Sequence, residues 1–326
     1  MQRVIGLAAG VGLTALACIC SLATAASQSK TSLSAPGLPD PGSFVEQARA
    51  GKLDPATYDF EAAGFFKLPD RMQWQIGIFS ALGVNQSGGS PPCSTADQHN
   101  GPIMAWTQLA AQSADAAEWR SNAQTIRARL AELDQILKSS APEIPSQDPL
   151  VHELLLRFAR DQDVRTPFSQ LKWTQGLSPT GMNAWMLAAG SRMTTIDCDN
   201  TAWLKSQLAK IGWFTIPKYG EEADKAAWHL VQHADRDPAF QRQMLDKLQA
   251  LPPGETNGKR LGLLWDRVAR AEGHLQRYGT QGTCKDGQWT PFESEDPENL
   301  DQRRAAMGME PIAEHMKMTS ANACPH

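Results

Sequence analysis

The sequence predicts a mainly α-helical protein with a small β-hairpin near residues 275–293. Three observations predict this fold class. Apolar residues recur at helical spacing in several segments. Asp-Pro pairs mark helix starts in the second half, and an Asp-Gly turn separates two short extended runs near the C-terminus. We expect a helical C-terminal domain over residues 148–326.

The N-terminus has the three parts of a secretory signal peptide over residues 1–25. Arg3 supplies the positive charge, an uncharged apolar stretch follows, and the small-x-small motif ATA ends at residue 25. Cleavage there leaves no apolar run long enough to span a bilayer. We therefore expect a periplasmic or secreted protein. Cleavage before Cys18, as in a lipoprotein, is the first alternative, and a retained membrane anchor is the second.

The cysteine content and the net charge indicate which functional classes the sequence favours. An even number of cysteines in an exported chain predicts disulfide bonds, and we expect at least one here. No cysteine pair has the CxxC spacing of a structural zinc site. A net charge of −4 does not favour nucleic-acid binding, which needs a basic patch. The four cysteines beyond the signal peptide are Cys93, Cys198, Cys284 and Cys324.

The region before the C-terminal domain is less regular. Residues 26–42 are rich in Ser, Pro and Gly, which predicts a flexible tether. Residues 43–147 form a helical or irregular region with one clear helix, expected over residues 114–137. A Pro-rich stretch then breaks the helical pattern before residue 148.

Capping residues delimit the helices of the C-terminal domain. Asp148-Pro149 and Asp237-Pro238 each place an N-cap before a proline at the first helical position. Gly273 ends another helix as a left-handed residue. The expected helices cover about residues 148–165, 199–212, 221–235, 237–251 and 259–272, with a last helix starting near Pro297.

The segment AAWHLVQHADRDPAFQ places two histidines one turn apart, the spacing at which two imidazoles can share a zinc ion. These are His229 and His233. Gln232 stands where the inverted zincin pattern H-x-x-E-H has its glutamate, so the proton acceptor of a metalloprotease is missing. We expect no metal and no cofactor. Metal binding through His229 and His233 is kept as an alternative.

Polar side chains continue the apolar face of the helix over residues 148–165. The face runs to Phe158 and then reaches Asp161, Gln162 and Arg165. A buried, unpaired polar group costs about 1–3 kcal/mol. Either the helix end leaves the core, or these groups line a polar site, or Asp161 and Arg165 form an ion pair.

The stretch QRYGTQ is the other dense polar segment. Gly279 permits close backbone approach. An ordinary hairpin with polar side chains is the alternative to a ligand site. Neutral donors and acceptors suited to a polar ligand lie on Gln276, Tyr278, Thr280 and Gln281.

Several blocks, in order, resemble a bacterial family of unknown function that has QHAD, DRV and YGTQ blocks. They are QHADRDPAFQ, WDRVARAEGHLQRYGTQ and LDQRRAAMGMEPI, preceded by ARDQDVR and DNTAWLKSQLAKIGW. The resemblance covers about residues 150–316. His229 is not a motif position, and Phe214 stands where the family usually has proline. The resemblance implies motif positions at Asp161, Arg165, Gln232, His233, Asp235, Gln241, Asp266, Arg267, Gln276, Tyr278, Gly279, Thr280 and Gln281.

We expect these polar residues to converge on one cleft suited to acid–base catalysis, such as hydrolysis, on a small polar molecule or a cell-envelope component. The predicted catalytic residues are His233, Asp161, Asp235 and Asp266, with Asp161 or Asp266 orienting the imidazole of His233. The alternative is a non-catalytic periplasmic module that binds a ligand in the same cleft. The predicted ligand-binding residues are Arg165, Gln232, Arg267, Gln276, Tyr278, Thr280 and Gln281.

Overall fold

The computed structural model describes residues 35, 37–83, 93 and 95–324. The predicted signal peptide, Cys18 and the predicted tether up to residue 34 lie outside these residues. Over the described part of the chain, 12 α-helices and one two-stranded sheet form the fold, which confirms the mainly α prediction. None of these helices combines the length and the apolar character that a bilayer crossing requires.

Twelve helices and two strands are described. The helices are α1 (Pro41–Arg49), α2 (Arg71–Leu82), α3 (Thr95–Gln112), α4 (Ala116–Ser139), α5 (Pro149–Asp163), α6 (Pro179–Ile211), α7 (Ile216–Tyr219), α8 (Glu221–Gln232), α9 (Pro238–Gln249), α10 (Gly258–Ala271), α11 (Leu300–Ala306) and α12 (Ile312–Ala323). The strands are β1 (Gly282–Lys285) and β2 (Gln288–Pro291).

The chain divides into two compact units. The N-terminal unit contains the described residues up to 140 together with Asp163–Ile196. The C-terminal unit contains Ala141–Gln162 and residues 197–324. Each unit has its own hydrophobic core.

An aromatic cluster forms the centre of the N-terminal unit. Phe44, Phe60, Phe65 and Trp74 are all fully buried. The ring centroids of Phe44 and Phe65 lie 5.3 and 5.2 Å from that of Trp74, in edge-to-face geometry. Such pairs add a directional attraction to the burial of apolar area.

The Asp-Pro helix starts of the C-terminal unit are confirmed. Asp237 caps α9 by accepting from the Phe240 main-chain N–H at 3.0 Å. Asp148 accepts from the Leu150 N–H at 2.8 Å in front of α5. These side chains satisfy main-chain donors that a helix start leaves without intrahelical partners.

Two predicted helix boundaries were wrong. Asp199-Asn200 does not start a helix, because α6 begins at Pro179 and continues through both residues. Helix α8 ends at Gln232, short of the predicted 235. The side-chain amide of Gln241 donates to the carbonyls of Val231 and Gln232, at 3.3 and 2.9 Å. This amide replaces the main-chain donors that would have continued the helix.

The predicted hairpin forms, with β1 and β2 antiparallel and Cys284 opposite Trp289. Its turn is Asp286-Gly287, and both residues have positive φ, +52° and +74°. Two-residue hairpin turns of this kind suit the twist of paired strands.

Disulfides are present as predicted. Cys284 is bonded to Cys324 at the end of α12, which ties the hairpin to that helix. Cys93 and Cys198 are also disulfide-bonded.

Candidate functional site

A buried aspartate and a histidine meet at the ends of two helices of the C-terminal unit. Asp161 lies in the last turn of α5 and is fully buried. His233 is the C-cap residue of α8. Its Nδ1 lies 3.0 Å from each carboxylate oxygen of Asp161. The side-chain amide of Gln162 also donates to this carboxylate, at 2.7 Å.

This geometry determines which ring nitrogen of His233 can do chemistry. An ionised carboxylate only accepts hydrogen bonds, so in the neutral imidazole Nδ1 carries the proton and Nε2 has the lone pair. The His233 side chain is 14% exposed, whereas that of Asp161 is 0% exposed. The pair therefore has a buried orienting group and an imidazole that retains access to solvent.

His229 has a different environment from His233, although their ring centroids are 6.2 Å apart. Its Nδ1 donates to the Lys225 carbonyl at 2.9 Å, and its ring contacts those of Phe158 and Trp228. Burial lowers the pKa of His229 to about 4, against the opposing effect of the Lys225 carbonyl. His229 is therefore neutral at pH 7.

The metal alternative needs a third ligand near these two rings. Within the described ranges, no three His, Cys, Asp or Glu side chains are grouped so that they could hold an ion. The Nδ1 atoms of His229 and His233 already have hydrogen-bond partners.

A second polar network follows His233 along the chain. Arg267 of α10 donates through Nη1 to both carboxylate oxygens of Asp235, at 2.8 and 3.1 Å. Gln241 donates to Asp235 at 3.1 Å through the same amide that binds the Gln232 carbonyl. Desolvation raises the pKa of Asp235, but the charge of Arg267, these hydrogen bonds and the charge of His233 outweigh it and lower the pKa. Asp235 is thus an ionised partner of Arg267.

Two buried atoms in this network have no hydrogen-bond partner among the described residues. They are Oε1 of Gln232 and Nε of Arg267. Gln232 is 7% exposed, and the Arg267 side chain is 15% exposed. Leaving a buried polar atom unpaired costs about 1–3 kcal/mol. Such atoms are therefore candidates for contact with a ligand.

Asp266 is also fully buried, but its partners belong to the main chain. Its two carboxylate oxygens accept from the N–H groups of Arg277, Tyr278 and Thr280, at 2.7, 3.0 and 2.8 Å. Burial raises the pKa of Asp266, and these donors offset the rise only in part. Gly279, with φ of +65°, lets the chain turn so that the amides on either side of it meet one carboxylate.

The glutamines of the 276–281 segment bind within the segment and to the chain after the hairpin. Gln276 is fully buried; its amide donates to the Phe292 carbonyl at 2.8 Å and accepts from the Gln281 N–H at 2.6 Å. The Gln281 amide lies 3.4 Å from the Thr280 hydroxyl. The Tyr278 ring meets that of Trp265 edge-on.

The structure brings several of the predicted site residues together in groups. Asp161 and His233 form one pair, and Gln232, Asp235 and Arg267 form the network beside it. Asp266, Gln276, Tyr278, Thr280 and Gln281 shape the loop that follows α10. Arg165 is half-buried in the Asp163–Ile196 segment of the N-terminal unit.

Gln162 and Gln241 complete the site and were not among the predicted site residues. Gln241 was a motif position of the resembled family, so that signal was present. Gln162 was visible only as a polar residue on the core face of α5. Its contact with Asp161 depends on side-chain direction, which spacing does not specify.

The protein is thus a mainly helical protein that contains a buried Asp–His pair and, beside it, an Arg–Asp network. A family of unknown function (DUF6624) matches residues 149–323, more than half of the chain, and the chain belongs to this family. The match covers the region of the predicted resemblance. No curated protein matches the chain. No solved structure matches it either.

Proposed function

We propose that the protein is an exported acid–base enzyme that hydrolyses a polar substrate with His233 as the proton-transfer group. The observation that supports this most strongly is the contact of Nδ1 of His233 with both carboxylate oxygens of buried Asp161, at 3.0 Å. A histidine held in this way presents Nε2 as a base, and the carboxylate stabilises the imidazolium that forms.

The proton path uses one ring nitrogen. Nε2 of His233 removes a proton from a water molecule as that water attacks the substrate. The imidazolium then returns the proton to the leaving group. Asp161 keeps the ring orientation fixed and compensates the transient positive charge, so it is a positioning residue.

Asp235 and Asp266 are not suited to the same role. The pKa of Asp235 is lowered and its oxygens face Arg267, so it remains ionised and orients the guanidinium. Both oxygens of Asp266 are occupied by main-chain amides, which suits a structural role. Of the four predicted catalytic residues, we therefore assign proton transfer to His233 and positioning to Asp161.

Export agrees with the presence of disulfides, since these bonds persist in oxidising compartments. We propose that the mature chain starts near residue 26. N-terminal sequencing of the exported form tests this. Retention of Arg3, or a lipid on Cys18, would overturn it.

The catalytic assignment is tested with His233→Gln and the matched variant His229→Gln. Wild type is incubated with peptidoglycan fragments and with mixtures of polar metabolites, and hydrolysis products are identified by mass spectrometry. We expect His233→Gln to fold and to lose at least about 10²-fold in rate, the lower range for general acid–base catalysis. His229→Gln should retain the wild-type rate. A fully active His233→Gln enzyme would contradict the assignment.

Ligand binding without turnover, unaffected by His233→Gln, would favour the binding-module alternative. An unfolded His233→Gln variant would instead indicate a structural histidine. Circular dichroism of both variants separates that outcome from loss of catalysis.

A further inference from the structure

Two buried atoms of opposite hydrogen-bonding sense belong to the polar network that follows His233 along the chain. Oε1 of Gln232 is an acceptor and Nε of Arg267 is a donor, and neither has a partner within the described part of the chain. Gln232 directly precedes His233. Its carbonyl binds the Gln241 amide, which also binds Asp235, and Asp235 binds Arg267. A short chain of three hydrogen bonds therefore connects the main chain of Gln232 to the guanidinium of Arg267.

Asp235 binds one side of the guanidinium, and Nε on the other side has no partner within the described residues. Asp235 takes only Nη1, with both of its oxygens. The Nε–Nη2 edge carries two parallel N–H donors, which can bind the two oxygens of a carboxylate or converge on one carbonyl oxygen. A substrate oxygen at this edge would meet a fixed positive charge.

The carboxylate of Asp235 already compensates the positive charge of Arg267, which argues against an anion as the main ligand. An anion offers no donor to the unpaired side-chain oxygen of Gln232, which can only accept a hydrogen bond. A neutral group with both a carbonyl oxygen and an N–H satisfies both atoms.

We propose that the site recognises an amide group, with the carbonyl oxygen on the Nε–Nη2 edge of Arg267 and the N–H on Oε1 of Gln232. This proposal rests on the acid–base assignment of His233 and names the substrate class of the same site. Arg267 becomes the group that stabilises the developing oxyanion, and Gln232 becomes a specificity-determining residue.

The reaction is amide hydrolysis. The oxygen of a water molecule bonds to the carbonyl carbon while Nε2 of His233 takes one of its protons. The C=O π pair moves onto the carbonyl oxygen, where Arg267 balances its charge. The oxyanion then collapses, the C–N bond breaks, and His233 gives its proton to the departing nitrogen. The products are a carboxylic acid, ionised at neutral pH, and an amine.

Three probes of similar size test the recognition directly. N-methylacetamide has both the carbonyl and the N–H, methyl acetate lacks the N–H, and acetate is an anion. Each is titrated into isotopically labelled exported protein, and NMR follows the side-chain resonances of Arg267 and Gln232. We expect N-methylacetamide to bind at least about tenfold more tightly than methyl acetate, because the ester leaves Gln232 unpaired.

Variants assign the two contacts. Gln232→Met should remove the preference for amide over ester. Arg267→Lys should weaken both neutral probes at least about tenfold, because both present a carbonyl oxygen. Arg270→Lys is the matched control on the same helix; Arg270 is exposed and lies over the Phe292 ring. It should bind all probes as wild type does.

Equal binding of amide and ester, or tightest binding of acetate, would overturn the proposal. If Arg267→Lys fails to fold, the ratio of the affinities of Gln232→Met for N-methylacetamide and methyl acetate still tests the proposal. His233→Gln should retain probe binding. Amide selectivity without any His233-dependent hydrolysis would contradict the catalytic assignment alone. His233-dependent hydrolysis without amide selectivity would contradict the amide proposal alone.

Discussion

Asp161 and Asp266 are both fully buried in the C-terminal unit, yet their surroundings differ. Asp266 accepts from three main-chain N–H groups, which cannot change charge under physiological conditions. Asp161 contacts an imidazole, which can. The donors around a buried carboxylate therefore indicate its role better than its burial does.

Asp161 and Asp266 also differ in what their hydrogen-bond partners contribute once the protein has folded. The amides bound to Asp266 lie within residues 277–280, and the contact holds that loop to α10. His233 sits at the end of α8 and keeps 14% of its side chain exposed. One carboxylate organises the fold, and we propose that the other organises a reaction.

The largest effect expected is on catalysis in Asp161→Asn. An asparagine has one oxygen for two donors, His233 and Gln162, and lacks the charge that compensates an imidazolium. We expect a rate loss of about 10³-fold or more, equivalent to about 4 kcal/mol. Product formation by mass spectrometry measures it. ¹⁵N NMR of His233 should show that the Nδ1-protonated tautomer is no longer dominant.

Gln162→Leu removes a neutral donor to Asp161 and provides the control. It should leave the His233 tautomer unchanged. Unaltered activity and tautomer in Asp161→Asn would contradict the positioning role.

The next effect is on stability in Asp266→Asn. The substitution places an N–H₂ group against main-chain donors, of which the N–H of Thr280 is buried. We expect a loss of about 3–4 kcal/mol in the free energy of unfolding, because two incompatible donors are left without an acceptor. Urea denaturation measures it.

Asp246→Asn is the control for this loss. Asp246 lies on α9 with its side chain 62% exposed, and its change should stay within about 0.5 kcal/mol. If both variants unfold alike, the loop is not held by Asp266 in the way described.

Sequence patterns predicted the helical class and the hairpin because their signals are local. Asp237-Pro238 and Asp286-Gly287 each fix their own geometry through capping or a positive φ. The first part of α6 was missed because Asp199-Asn200 resembles a cap and Gly190 weakens the pattern before it. Packing of the long helix overrides both local signals.

The site was only partly predictable. Spacing suggested that Asp161 or Asp266 could orient His233, but could not choose between them. Asp161 is 72 positions away in sequence, and its contact depends on how α5 and α8 pack. Loop geometry around Gly279 directs three amides to Asp266, and no periodic pattern encodes that arrangement.

His229 provides a pH test of the contrast between the two histidines. Its folded-state pKa of about 4 lies below the ordinary 6.5, so the unfolded chain takes up the proton first. The contribution of His229 to the free energy of unfolding is fully present above about pH 6.5. It falls by up to about 3 kcal/mol as the pH drops toward 4. His229→Gln should remove this dependence. Urea midpoints between pH 7 and pH 4 measure it.

A control variant and the known contribution of Glu310 distinguish the effect of His229 from other acid-sensitive groups. His152→Gln, at an exposed position of α5, should retain the wild-type pH dependence. Acid sensitivity that remains below pH 4.5 belongs in part to Glu310. Burial raises the pKa of Glu310, but Lys259 and His315 outweigh it and lower the value to about 2. A wild-type pH slope in His229→Gln would show that His229 is not the titrating group.

The smallest effect concerns Gln232, where stability and recognition are expected to change in opposite directions. Gln232→Met keeps the side-chain length and removes an acceptor that has no partner among the described residues. A buried polar atom without a partner is destabilising, so we expect the free energy of unfolding to rise by about 1 kcal/mol. If Gln232 served only to stabilise the fold, Gln232→Met would lower the free energy of unfolding. We expect that result for Gln241→Met, because Gln241 donates to two carbonyls and to Asp235. Urea denaturation of both variants gives the comparison.

A more stable Gln232→Met protein that no longer prefers an amide would mean that Gln232 is retained for recognition at a cost in stability. A less stable one would place Gln232 with Asp266 among the residues that maintain the fold.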